Sequence, residues 1–104
     1  MVEIELDALS GQPNPRWTLD AAQATELLAL LAGLPTAAAQ PHFELGYRGF
    51  LVHRGGATPP VRVVAGQVEI DGETRADRRG AEAWLLHSAR AHGWAAVVEG
   101  VKRR

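Results

Sequence analysis

The chain of 104 residues has no cysteine. That absence excludes disulfides, thiolate nucleophiles and cysteine-based zinc sites. Long apolar runs are missing too. The longest, Leu27 to Leu34, is far too short to span a bilayer, so no membrane partner is expected. The N-terminus alternates charge with hydrophobicity and lacks the shape of a signal peptide, which makes a cytoplasmic location the expectation. Neither sign of charge dominates. Eleven basic and twelve acidic residues give a net charge of -1, without the basic footprint that nucleic-acid binding usually needs. The short basic end Lys102-Arg103-Arg104 reads as a solvated tail. The Ala, Gly and Arg usage suggests a GC-rich bacterial source.

What remains is ordinary for a folded domain, with 46% hydrophobic and 22% charged residues. The length suits one compact domain over residues 1–104, with a single core. Val2, Ile4, Leu6 and Ala8 alternate with Glu3, Glu5 and Asp7. Period two marks a half-buried strand whose acidic face is expected to be solvated. Asp20 can cap a helix with Gln23 at the reciprocal capping-box position, and Thr18 is a competing cap. Ala24, Leu27, Leu28 and Leu31 form one apolar stripe, while Gly33 and Pro35 end the helix.

Residues 35–42 read as a surface linker and Phe43 to His53 as a strand. Within it, Gly46 and Gly49 suggest a bulge or a close backbone approach. After the loop RGGATPP, residues 61–70 read as a hairpin turning at Ala65-Gly66, with a second turn at 71–73. Asp77 can cap a second helix reaching His92, with Ala81, Trp84, Leu85, Ala89 and His92 on one face. Residues 94–101 form either a closing strand or a packed tail. The expected fold is α+β: a two-layer sandwich of order β-α-β-β-β-α. It has a mainly antiparallel sheet of three to five strands, two helices on one face and an optional C-terminal strand.

No residue pattern declares an activity. His87 and His92 are five apart, about 140° around a helix, and cannot easily share a metal. His42 and His53 converge only if the fold brings them together. Glu3, Glu5 and Asp7 could in principle hold a hard cation, although a solvated strand face explains them better. The stretch DGE at 71–73 lacks the other ligand positions of a calcium loop. No phosphate loop or GxSxG is present, and Ser10 and Ser88 have no elbow or base context. The expectation is therefore no catalytic residue, no metal and no cofactor.

The distinctive stretch is SGQPNPRW, residues 10–17. Gly11 permits unusual backbone angles, while Pro13 and Pro15 fix their own φ and push Gln12 and Asn14 toward extended geometry. The result is a stiff arch, poorly suited to joining a sheet because its prolines donate no N–H. One reading is that the arch only positions Trp17 and aims the helix. The other is that it presents Asn14, Arg16 and Trp17 to a partner, since pre-stiffened loops lose less entropy on binding and Trp and Arg are enriched at hot spots. LGYRGF, residues 45–50, poses the same choice. It is either a bulged strand with Tyr47 half-buried and Arg48 in water, or a bare strand that accepts another chain.

Ser10, Gly11, Pro13, Asn14, Pro15 and Trp17, followed by Gly46 through Phe50, resemble the SG-x-PNP-x-W and GYRGF signature of a family of small uncharacterised bacterial proteins. The resemblance covers about the first half of the chain and implies no established activity. The chain is also similar in scale to accessory proteins of peptide-modifying enzymes, a comparison of size and layout alone.

The expected function is thus a non-catalytic module that binds a protein or peptide, as an accessory or partner subunit, through Asn14, Arg16, Trp17, Tyr47 and Arg48. One rival is a small enzyme or small-molecule binder. Its pocket would join Asn14, Tyr47 and a histidine, with Arg48 or Arg54 clamping an anion. Another is a self-associating domain, a homodimer paired through the sheet edge.

Overall fold

The computed structural model describes residues 1–8, 13–39 and 47–102. It contains β1 (Val2–Leu6), β2 (Arg16–Leu19), α1 (Ala21–Leu31), β3 (Phe50–His53), β4 (Val61–Val64), β5 (Gln67–Ile70), β6 (Glu73–Ala76), α2 (Ala81–Ala91) and α3 (Ala95–Lys102). The strands form one antiparallel sheet of order β2-β1-β3-β4-β5-β6. The α+β class is as expected, but the sheet exceeds the three to five strands read from sequence. The order is corrected to β-β-α-β-β-β-β-α-α.

The two additional strands are short and carry no strong period. Arg16–Leu19 joins the sheet directly after the second proline, against the expectation that the arch would stay outside it. Pro15 needs no N–H for this, because its carbonyl accepts the Leu6 N–H at 2.9 Å. Glu73–Ala76 pairs with β5 beyond the Asp71-Gly72 turn. Both hairpin turns place two successive residues at positive φ: 51° and 79° at Ala65-Gly66, 50° and 79° at Asp71-Gly72. That twist matches antiparallel strands. Residues 95–102 form a helix, not a closing strand. Val98 is fully buried, and α3 packs against α2. Of the expected strand over 43–53, Phe50–His53 is a strand; residues 43–46, with His42 and Gly46, lie outside the described residues.

Alternation sorts the sheet into two faces. Ile4, Phe50, Val52, Val61, Val63 and Val68 are fully buried, and they join Leu27 and Leu31 of α1, Leu85 and Ala89 of α2 and Val98 of α3 in one core. The capping box of α1 forms as read. The Gln23 N–H donates to Asp20 Oδ1 at 2.8 Å, and the Asp20 N–H donates to Gln23 Oε1 at 3.2 Å. At its other end, Arg79 Nη1 donates to the carbonyls of Ala29 and Ala32, at 2.9 and 2.7 Å. These are carbonyls the last turn leaves without helical partners. No helix among the described residues is long and apolar enough to cross a membrane.

The two sheet edges differ. Residues 35–37 close β6: the Ala76 N–H donates to the Pro35 carbonyl, and the Ala37 N–H to the Thr74 carbonyl, both at 2.9 Å. At the other edge, Leu6-to-Pro15 pairing fixes the register so that the peptide groups of Arg16 and Thr18 point away from β1. That edge is only four residues long and bounded by Pro15, a device that limits unwanted pairing.

Candidate functional site

Residues of one face of β1 lie under no described helix, and they organise the candidate site. Glu5 stands directly opposite Arg16 on β2 and Leu51 on β3, while Glu3 stands opposite His53. Side chains in such cross-strand positions meet. Glu5 Oε2 accepts from Asn14 Nδ2 at 2.7 Å. Glu5 Oε1 accepts from Arg16 Nη2 and His53 Nε2, both at 2.9 Å. An ionised carboxylate only accepts, so Nε2 of His53 is the protonated ring nitrogen in this contact. Arg16 Nη1 also donates to Glu3 Oε1 at 2.8 Å. Further along, Arg62 Nη1 donates to Asp7 Oδ2 at 3.1 Å and to the Arg48 carbonyl at 2.7 Å.

Glu5 is therefore not the solvated residue that alternation suggested; it is 8% exposed. Burial opposes its charge. Hydrogen bonds from Asn14 and His53, with the positive charge of Arg16, outweigh that and hold its carboxyl below its ordinary value. The carboxylate ties the arch, β2 and β3 together.

The five sequence-derived contact residues divide between the two sides of the sheet. Asn14 and Arg16 belong to the Glu5 cluster, and the side chain of Arg16 is 53% exposed. Trp17 points the other way and is buried. Its indole N–H donates to Ser88 Oγ at 3.0 Å, and its ring stacks on His92 with centroids 5.6 Å apart. Tyr47 is likewise buried. Its hydroxyl donates to Glu82 Oε2 at 2.6 Å, and its ring meets Phe50 edge-on. Arg48 is exposed.

Arg48 and Gly49 form a bulge just after Tyr47. Asp7 donates its N–H to the Gly49 carbonyl at 2.9 Å, and Arg48 donates its N–H to the Asp7 carbonyl at 2.7 Å. Two residues thus oppose one. The extra residue lets Tyr47 and Phe50, three apart, share the core side. Gly49 makes the close approach anticipated from sequence: a Cβ there would lie 2.3 Å from the Val63 carbonyl oxygen and 2.4 Å from Val64 Cβ.

The described histidines do not gather. His53 sits on Glu5, His92 on Trp17, and His87 lines a cleft of about 250 Å³ between α1 and α2 with Gln23, Glu26 and Trp84. Trp84 closes part of that cleft by donating its indole N–H to Glu26 Oε1 at 2.8 Å. Asn14 and a histidine do converge, as the small-molecule reading required, but Tyr47 is turned to the other side. Among the described residues, no three His, Asp or Glu side chains are grouped so that they could hold a metal ion. Sequence reasoning set Glu5 and Asp7 aside as a solvated face and missed Arg62. The available signal was the spacing E-x-E-x-D in one segment facing R-x-T in another, readable only once their register is known. No protein family, curated protein or solved structure matches this chain, so the site is read from its own residues.

Proposed function

We propose that the protein is a binding module for a protein or peptide, acting as an accessory or partner subunit through the helix-free side of its sheet. The observation behind this is the Glu5 cluster. A buried carboxylate fixes Asn14, Arg16 and His53 at the surface, so their polar groups are oriented before any partner arrives. Ordering side chains in advance lowers the entropy cost of association, and arginine is a frequent anchor of interfaces. Trp17 and Tyr47 serve this face indirectly, by fastening its strands to α2.

The test compares three proteins against lysate of a bacterial host: wild type, Arg48→Glu on the proposed face, and Leu28→Arg on α1, where Leu28 is 39% exposed. The reading expects one macromolecule to be retained by wild type and Leu28→Arg and lost by Arg48→Glu. Retention by all three, or loss only with Leu28→Arg, refutes it.

One contact favours the small-molecule reading. Glu5 orients the His53 ring through Nε2, leaving Nδ1 without a partner among the described residues. A carboxylate-held imidazole can transfer a proton or bind a ligand through its second nitrogen. Ligand-induced shifts confined to His53 and its neighbours in a small-molecule screen would support that reading.

A further inference from the structure

The bulge leaves a pair of arginines with donors to spare. Arg48 is exposed, and none of its guanidinium nitrogens bonds a described residue. Arg62 uses Nη1 for both Asp7 and the Arg48 carbonyl; its Nε and Nη2 have no described partner, and its side chain is 30% exposed. The Arg62 contact to the Arg48 backbone makes the two residues neighbours. The cluster is also layered. The side chains of Glu5 and Asp7 are 10% and 23% exposed, against 53% for Arg16 and 30% for Arg62. Glu5 thus lies beneath Arg16, while Glu3, 41% exposed, and Glu69, opposite Arg62 on β5, stay open to solvent.

We infer that the Arg48–Arg62 corner receives a carboxylate side chain from an acidic segment of the partner. This rests on the binding-module reading and names the chemistry of its partner. A guanidinium fork matches a carboxylate in geometry as well as charge. Asp7 and the Arg48 carbonyl hold Arg62 in place, so only Arg48 must be ordered on binding. Asp7 beneath Arg62 and Glu69 beside it keep the local charge near balance. That suits an isolated carboxylate and disfavours a dense polyanion such as nucleic acid, whose affinity scales with the number of phosphates neutralised.

The experiment titrates the full chain, ¹⁵N-labelled and at low salt, with a short glutamate-rich peptide, a lysine-rich peptide of equal length and a single-stranded oligonucleotide. The glutamate peptide is expected to move the Arg48 and Arg62 Nε–H signals, with affinity falling as salt rises. Arg48→Ala, which removes no described side-chain contact, is expected to weaken it by about fivefold. Equal or tighter binding of the lysine peptide or the oligonucleotide at these arginines overturns the inference. So does an unchanged affinity in Arg48→Ala. If a macromolecule sensitive to Arg48→Glu is captured yet the glutamate peptide moves neither arginine, the acidic-partner inference fails and the binding face stands. Shifts confined to the helical side overturn both.

Discussion

The Trp17 indole N–H donates to Ser88 Oγ across 71 residues of sequence, at 3.0 Å and out of contact with water. It joins the edge strand β2 to the middle of α2. Ser88→Ala is expected to leave that N–H buried without an acceptor and to cost about 1–3 kcal/mol. Trp17→Ala, which also opens a cavity between Phe50 and His92, is expected to cost about 3–5 kcal/mol. Urea unfolding of both variants measures this; equal losses would mean that the ring's packing contributes little.

Gly49 cannot carry a side chain without moving the sheet. Its φ is 87°, and an added Cβ would overlap the backbone and Cβ of β4. Gly49→Ala should lose at least about 3 kcal/mol, combining strained backbone with overpacking. Gly66→Ala, also at positive φ but with open space around it, should lose only about 1 kcal/mol. Thermal unfolding of the pair separates backbone strain from steric conflict.

Glu5 makes stability depend on acid. Its folded pKa lies below its ordinary value of 4.5, so the unfolded chain binds the proton more readily. The contribution is complete above that ordinary value and is lost as pH falls through the folded pKa. Glu5→Gln should therefore be destabilising at pH 7, with the gap to wild type narrowing below about pH 4.5. Denaturant titrations at a series of pH values follow this; a constant gap would show that the carboxylate's charge does not matter.

Asp77 starts α2 from outside the usual capping position. Gly80 precedes the helix in a left-handed conformation and supplies no side chain, while the Asp77 carboxylate accepts the N–H groups of Ala81 at 2.7 Å and Glu82 at 3.0 Å. Asp77→Ala should cost about 1–2 kcal/mol, with Asp77→Asn recovering part of it. Amide exchange at Ala81 and Glu82 should accelerate in the alanine variant, locating the loss at this end of α2.

Much of the scaffold is local and therefore legible in the chain. The alternation of Val2 to Ala8 marks β1, and Asp20 with Gln23 marks the start of α1. The turn at Ala65-Gly66 marks a hairpin, and the glycine at 49 marks a close approach. Each depends on a period or a residue whose conformational preference acts within a few positions. The strands Arg16–Leu19 and Glu73–Ala76 escape such reading because four residues carry too little pattern, and their pairing partners hold them in place. The C-terminal helix likewise has an ambiguous apolar run; packing of Val98 into the core accompanies the helical choice.

The candidate site lies at the far end of that scale. By itself the sequence determined that Glu3, Glu5 and Asp7 share one strand face and that Pro13 and Pro15 restrict the backbone just before Trp17, because side-chain alternation and proline geometry are properties of neighbouring residues. Only the tertiary structure decided that Arg16 and Trp17 part to opposite sides of the sheet, that a bulge turns Tyr47 inward and leaves Arg48 out, and that Glu5 is buried under three donors. Those outcomes depend on strand register. A shift of one residue in pairing would exchange the two faces, and burial of one face against the helices fixes which register is stable.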